Sequence, residues 1–150
     1  MMTDTVNWKE LGKMGRFSVE VELANNEDFT RARDGTLPSD KVRRVRVQGL
    51  VDTGATRLVI PESLAKQLGL QISGSVKVRY ADGRVAVRPI AQNIHLTFEG
   101  RSSIYDATVE PDRDTLLIGA FVLETLDLLP DCLHQRLVPR DPDIIISEAE

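Results

Sequence analysis

A chain of 150 residues can bury one core without disulfides or metals. Hydrophobic residues make up 41% and charged residues 28%, a globular balance that excludes a disordered or fibrous protein, and an aromatic share of 5% leaves aliphatic side chains to fill the interior. A formal charge of -4 argues against a broad phosphate-binding surface, so no nucleic-acid partner is expected.

The lone Cys132 can form no internal disulfide, and His95 and His134 are too few and too scattered for a zinc site, so neither metal nor cofactor is expected. Met1 to Lys13 carries charges where a signal peptide needs an apolar run, and no stretch reaches transmembrane length. These features predict a cytoplasmic protein with no membrane contact.

In chain order, residues 1–15 read as an N-terminal extension. Phe17, Val19, Val21 and Leu23 then alternate with Ser18, Glu20 and Glu22, the period of a strand with one face in the core. Ala24 to Asp40 is polar and punctuated by Asn25-Asn26, Asp34-Gly35 and Pro38, which predicts an extended, mobile loop inserted at 24–40. The basic run Lys41 to Arg46 interleaves arginine with valine, a solvated or groove-lining strand face that peptide side chains could meet. A strand is expected from Val45 through Gly49 to Val51.

After Leu58-Val59-Ile60, Pro61 and Glu62 suit a helix start, Leu64 and Leu68 share a face, and Gly69 can end the helix. Val76, Val78 and Tyr80, then Asp82-Gly83, then Val85 and Val87 predict a hairpin with a two-residue turn. A second hairpin is expected from Ile94, Leu96 and Phe98 across Glu99-Gly100 to Tyr105, Ala107 and Val109. Leu116-Leu117-Ile118 reads as a buried strand ending at Gly119, followed by a short helix around Phe121 to Leu126. With no internal repeat and no linker, this predicts one domain over 16–139, mostly β and barrel-like, with one or two short helices.

The strongest local signal is Leu50-Val51-Asp52-Thr53-Gly54-Ala55-Thr56, a carboxylate placed between a buried strand and a glycine turn. Taken alone, the tripeptide fits a turn in which Asp52 accepts hydrogen bonds from neighbouring N–H groups. Its context is more specific. Val51-Asp52-Thr53-Gly54-Ala55, then Leu58-Val59-Ile60, then a hairpin, then Leu117-Ile118-Gly119 and a short helix, resembles the retropepsin-like family of aspartic peptidases over roughly Phe17 to Pro139.

The resemblance implies a closed, mostly β barrel and an aspartic endopeptidase active as a homodimer on peptide or protein substrates. Asp52 would be catalytic, Thr53 would bond across to the partner's loop, Gly54 would let substrate approach, and Ala55 follows the family pattern. Tyr80, Ala81, Asp82, Gly83 and Arg84 would form the flap that closes over bound peptide, and Leu117, Ile118 and Gly119 the second hydrophobic-glycine motif. The flap tip departs from the glycine-rich tips of the viral enzymes, and the insertion at 24–40 is a further departure. Leu137-Val138 and Ile144-Ile145-Ile146 could build intersubunit strands, residues 140–150 being a tail or such a strand, or they could be plain core or edge strands.

Two carboxylates within hydrogen-bond distance cannot both ionise cheaply, so the Asp52 pair would share one proton and activate a water between them. Asp52-Thr53-Gly54-Ala55-Thr56 also fits the Asp-x-Gly-x-Thr phosphate loop of actin- and chaperone-like ATPases, but those need two large lobes. A non-catalytic dimerisation or peptide-binding module on the same fold is the other alternative.

Overall fold

The alternation at the start of the domain folds into a strand whose odd positions face the interior: β1 (Phe17–Asn25) buries Phe17, Val21 and Leu23 and leaves Ser18 and Glu20 exposed. The computed structural model describes residues 16–149. Beyond β1, the main sheet comprises β2 (Arg44–Val51), β3 (Leu58–Pro61), β4 (Ile72–Arg79), β5 (Val85–Phe98), β6 (Arg101–Glu110) and β7 (Leu116–Ile118). Their order is β1-β2-β7-β3-β6-β5-β4, and β1 also pairs with β5. That extra pairing closes β1, β2, β7, β3, β6 and β5 into a barrel of six strands, with β4 projecting beyond it as the outer arm of the β4–β5 hairpin. This is the mostly β barrel that the alternating pattern predicts.

The core is aliphatic, as the low aromatic content requires. Leu23, Leu58, Ile60, Ile94, Leu96, Leu116 and Ile118 are its largest fully enclosed side chains, together with Leu68 and Leu126 from the helical segments. At Glu99 and Gly100 both residues have positive φ, so β5 and β6 join through the tight turn expected there, with Phe98 opposite Arg101. Between the two hairpins β5 does not break. It runs unbroken from Val85 to Phe98 and absorbs one extra residue as a bulge near Asn93, whose φ is 61°.

The segment 24–40 is not the extended, mobile loop expected. It holds helix α1 (Asn26–Arg33) and a single 3-10 turn at Ser39–Lys41. The Asn25 side chain caps α1 by accepting from Asp28 N, Glu27 and Asp28 lie in the first turn, and Arg31 and Arg33 lie in the last, each favourable to the helix dipole. Asn25 Nδ2 also donates to the carbonyl of Leu68 at 2.9 Å, tying α1 to helix α2 (Glu62–Gln67). Buried Asp28 clamps Arg43, and Phe29 packs edge-on against His95 under the Arg44 guanidinium. Gly69 ends α2 at φ +62°, and a Cβ there would stand 1.8 Å from Arg43 Nη1, so the glycine both turns the chain and leaves room for the clamp.

The basic strand face meets β1 rather than a substrate groove around Asp52. Arg44 lies 3.7 Å from Glu22 and Arg46 lies 3.4 Å from Glu20, cross-strand pairs that make it the solvated face of a strand. Helix α3 (Ala120–Leu126) follows β7 as expected, and β8 (Leu128–Asp131) and β9 (Arg136–Pro139) form a separate two-stranded sheet. Leu137 and Val138 pair within the chain, opposite Pro130 and Leu129. Ile144 to Ile146 form no strand within the chain, and Ile146 N donates to Asp127 Oδ2 at 2.9 Å.

Candidate active site

Val51 is fully buried at the end of β2, and the chain leaves the barrel at Asp52. Asp52 N donates to the carbonyl of Ile118 at 3.0 Å, so the loop is anchored to β7 on its first residue. Ala55 N donates to the Asp52 carbonyl at 3.1 Å and Gly54 N to Asp52 Oδ1 at 2.9 Å, which fixes the carboxylate by its own turn. A Cβ on Gly54 would sit 3.1 Å from that oxygen, tighter than ordinary contact.

The second hydrophobic-glycine motif supports this loop from behind. Leu117 and Ile118 fill β7, and Gly119 brings the chain so close that a Cβ would lie 2.3 Å from the Arg57 carbonyl oxygen and 2.7 Å from that of Ala55. The N–H groups of Ala120 and Phe121, unpaired at the start of α3, donate to the carbonyls of Ala55 at 2.8 Å and Thr56 at 2.9 Å. No side chain larger than hydrogen at position 119 permits this interlock. The structure thus brings Asp52, Thr53, Gly54 and Ala55 together with Leu117, Ile118 and Gly119, as the sequence predicts.

The β4–β5 hairpin forms the opposite wall. Its residues Val76 to Ala81 line the same cleft of about 580 Å³ as Asp52, Gly54 and Ala55. The hairpin turn differs from expectation. Gly83 N donates to the Tyr80 carbonyl at 2.9 Å and Tyr80 N to the Arg84 carbonyl at 2.8 Å, so the loop is Ala81-Asp82-Gly83, three residues with positive φ at Gly83 alone. A two-residue turn of the favoured kind needs positive φ at both positions, and Asp82 does not supply it. Asp82 instead accepts from Arg84 N and Arg84 Nε, and hydrogen bonds from the Arg84 backbone and then its side chain lower the Asp82 pKa.

Several contacts at the cleft carried no signal in the sequence. Tyr80 Oη donates to Glu110 Oε2 at 2.6 Å and accepts from Arg88 Nε at 2.9 Å, while Arg88 pairs with Glu110 at 2.7 Å. Burial, then the hydrogen bond to Glu110, raises the Tyr80 pKa, so the phenol stays protonated and able to donate at neutral pH. Arg16 Nη2 stands 3.6 Å from Asp52 Oδ2. Tyr80, Arg88 and Glu110 meet through the register of β4, β5 and β6, and Arg16 reaches Asp52 from just ahead of β1, associations that no local pattern announces.

Thr53 is exposed and lines a second concavity, apart from the β4–β5 hairpin, together with α3, β8 and Ile145 to Glu148. Among the described residues, no cluster of three His, Cys, Asp or Glu could hold a metal ion, and no helix is long and apolar enough to cross a membrane.

No curated protein matches the chain. Among solved structures, the EIAV protease complexed with the inhibitor HBY-793 is similar with a TM-score of 0.45 and 18% identity, over 54% of this chain and 77% of that one. Residues 41–125, which run from the end of the inserted segment through the Asp52 loop and the β4–β5 hairpin to α3, match the family model described as gag-polyprotein putative aspartyl protease. A closed barrel carrying one Asp-Thr-Gly loop interlocked with a hydrophobic-glycine turn, together with a match over more than half its length, places this chain in the retropepsin-like, retroviral-type aspartyl protease family.

Proposed function

We propose that the protein is an aspartic endopeptidase that works as a homodimer, with Asp52 of each chain contributing one carboxylate to a shared site. The observation that carries this reading is the position of Asp52: held rigidly by β2, β7 and its own turn, partly exposed, on the floor of a cleft that the β4–β5 hairpin covers. One chain carries one Asp-Thr-Gly, and the chemistry needs two acidic groups, so a second copy must supply the other.

In that dimer one carboxylate is ionised and takes a proton from a bound water. The water attacks the scissile carbonyl carbon while the protonated carboxyl donates to the carbonyl oxygen, and no covalent enzyme intermediate forms. Collapse of the tetrahedral species expels the amine with the proton returned to nitrogen. The flap strand β4, which pairs on one side only with β5, supplies backbone groups along which an extended peptide can lie.

Exposed apolar side chains support a twofold partner on the Thr53 side. Half-exposed Leu129 and the partly exposed Ile145 and Ile146 line the same concavity as Thr53. Two Thr53 hydroxyls facing each other there would set the distance between the two carboxylates.

The test is a covalently tandem-linked dimer assayed on a proteome-derived peptide library. Asp52→Asn in one half should reduce cleavage to near background while the fold and the dimer persist. About half the wild-type rate would mean that each chain works alone. Peptide binding with no turnover by the wild type would favour a non-catalytic binding module instead.

A further inference from the structure

The cleft around Asp52 carries positive charge that neither the fold nor a two-carboxylate mechanism uses. Arg16, Arg57, Lys77, Arg79 and Arg113 line it, against the carboxylates of Asp52 and Glu110. Each carboxylate already faces a cation, Arg16 at 3.6 Å from Asp52 and Arg88 at 2.7 Å from Glu110. Arg57, Lys77, Arg79 and Arg113 face no carboxylate within ion-pair distance among the described residues; Arg113 donates only to the Thr115 carbonyl, from Nε at 2.8 Å.

This surplus sits in a chain with 23 acidic residues to 19 basic ones, where a cation ordinarily has an acid to meet. The basic run at the start of β2 shows the ordinary outcome, Arg43 just ahead of the strand and Arg44 and Arg46 within it being matched by Asp28, Glu22 and Glu20. Gathering like charges in a concavity costs self-repulsion and focuses a positive field that concentrates an anionic ligand. The cleft also has apolar parts: half-buried Val76 and Val78 project from one face of β4 and exposed Lys77 and Arg79 from the other, and Val59 and Leu117 line the same cleft.

An extended peptide presents side chains to alternate sides with the same period as β4. A single-stranded nucleic acid would instead need a free aromatic platform, and the one aromatic ring at the cleft, Tyr80, is engaged by Glu110 and by the Arg84 and Arg88 guanidinium groups. We infer that the cleft selects acidic peptides, extended segments in which Asp or Glu side chains, interleaved with aliphatic ones, meet Arg57, Lys77, Arg79 and Arg113. The inference rests on reading the cleft as a peptide-binding site and names the substrate class of that site.

The test measures binding so that it does not depend on turnover. Fluorescence anisotropy with the full-length Asp52→Asn protein compares peptides that are identical except that each Glu is replaced by Gln. At low salt the acidic peptide should bind about tenfold more tightly than its neutral twin, and the ratio should fall toward one at high salt. Lys77→Gln combined with Arg79→Gln should cut the ratio several-fold, whereas Arg33→Gln on the exposed surface of α1 should leave it unchanged. A ratio of one or less at low salt, or an oligonucleotide of equal charge binding more tightly than the acidic peptide, would overturn the inference. Cleavage of the same pair by the wild type, measured in parallel, reports on the peptidase reading separately. Turnover with no acidic preference discards the selectivity alone, and acidic preference with no turnover discards the peptidase alone.

Discussion

Asp28 accepts three hydrogen bonds from one residue: Arg43 Nε to Oδ2 at 2.8 Å, Arg43 Nη2 to Oδ1 at 3.0 Å, and Arg43 N to Oδ2 at 3.0 Å. The side-chain bonds from Arg43 outweigh burial and hold the Asp28 carboxyl below the usual carboxylate range. The two halves of this clamp are not equivalent, because Asp28 is buried and the Arg43 side chain is half exposed. Arg43→Met strands an anion with one backbone donor and should cost about 3 kcal/mol. Asp28→Asn frees a guanidinium that can turn into water and should cost about 1 kcal/mol. Since the folded-state pKa of Asp28 is depressed, the clamp's stabilisation is complete at neutral pH and is lost as pH falls through that lowered value. The gap between wild type and Arg43→Met should therefore narrow on acidification, which urea unfolding at neutral and acidic pH would measure; equal costs for both variants at neutral pH would mean that the pair does not carry the docking of α1.

Among the elements, the β4–β5 hairpin is the one whose stability bears most on the cleft. Its tip touches little else, since a Cβ at Gly83 would meet nothing within 4 Å, and the tie back to the barrel runs through Tyr80 to Glu110 and Arg88. Tyr80→Phe keeps the ring and removes that tie while leaving Arg88 and Glu110 paired, so the loss should be about 1 kcal/mol. Amide hydrogens of residues 76–87 should then exchange roughly fivefold faster, with the barrel strands unaffected; unchanged exchange in the hairpin would show that strand pairing alone holds it. Strand and hairpin positions were legible because alternation reports burial on one face, as in Phe17 to Leu23 and Val76 to Tyr80. Helix α1 was not, because its only large apolar residue is Phe29 and it is held by polar groups, Asn25 and Asp28, whose partners Leu68 and Arg43 lie elsewhere in the chain. A capping asparagine followed by two acidic residues was the signal available, and two neighbouring turn-forming pairs masked it.

For the molecule as a whole, the interlock of Asp52, Ala55 and Thr56 with Ile118, Ala120 and Phe121 was readable as an order of motifs before any geometry was known. The charge lining the cleft was not, because Arg57, the β4 pair Lys77 and Arg79, and Arg113 come from three separate places on the chain, and the fold gathers them. That closure also governs how the chain reaches its native state. The ring is sealed by β1 against β5, from Glu22 opposite Thr97 to Asn25 opposite Ile94, and the Asp52 loop is set by β2 against β7, with Val51 beside Ile118. Both pairings join segments about half the chain apart and return nothing until the intervening loop has lost its freedom. Folding should accordingly be slow for a domain of this size, on the order of milliseconds to seconds, and stopped-flow fluorescence would time it. The Asp52 loop is anchored only when β2 and β7 pair, so a chain that has formed its local hairpins but not its two seams would carry every residue of the site and little of its geometry.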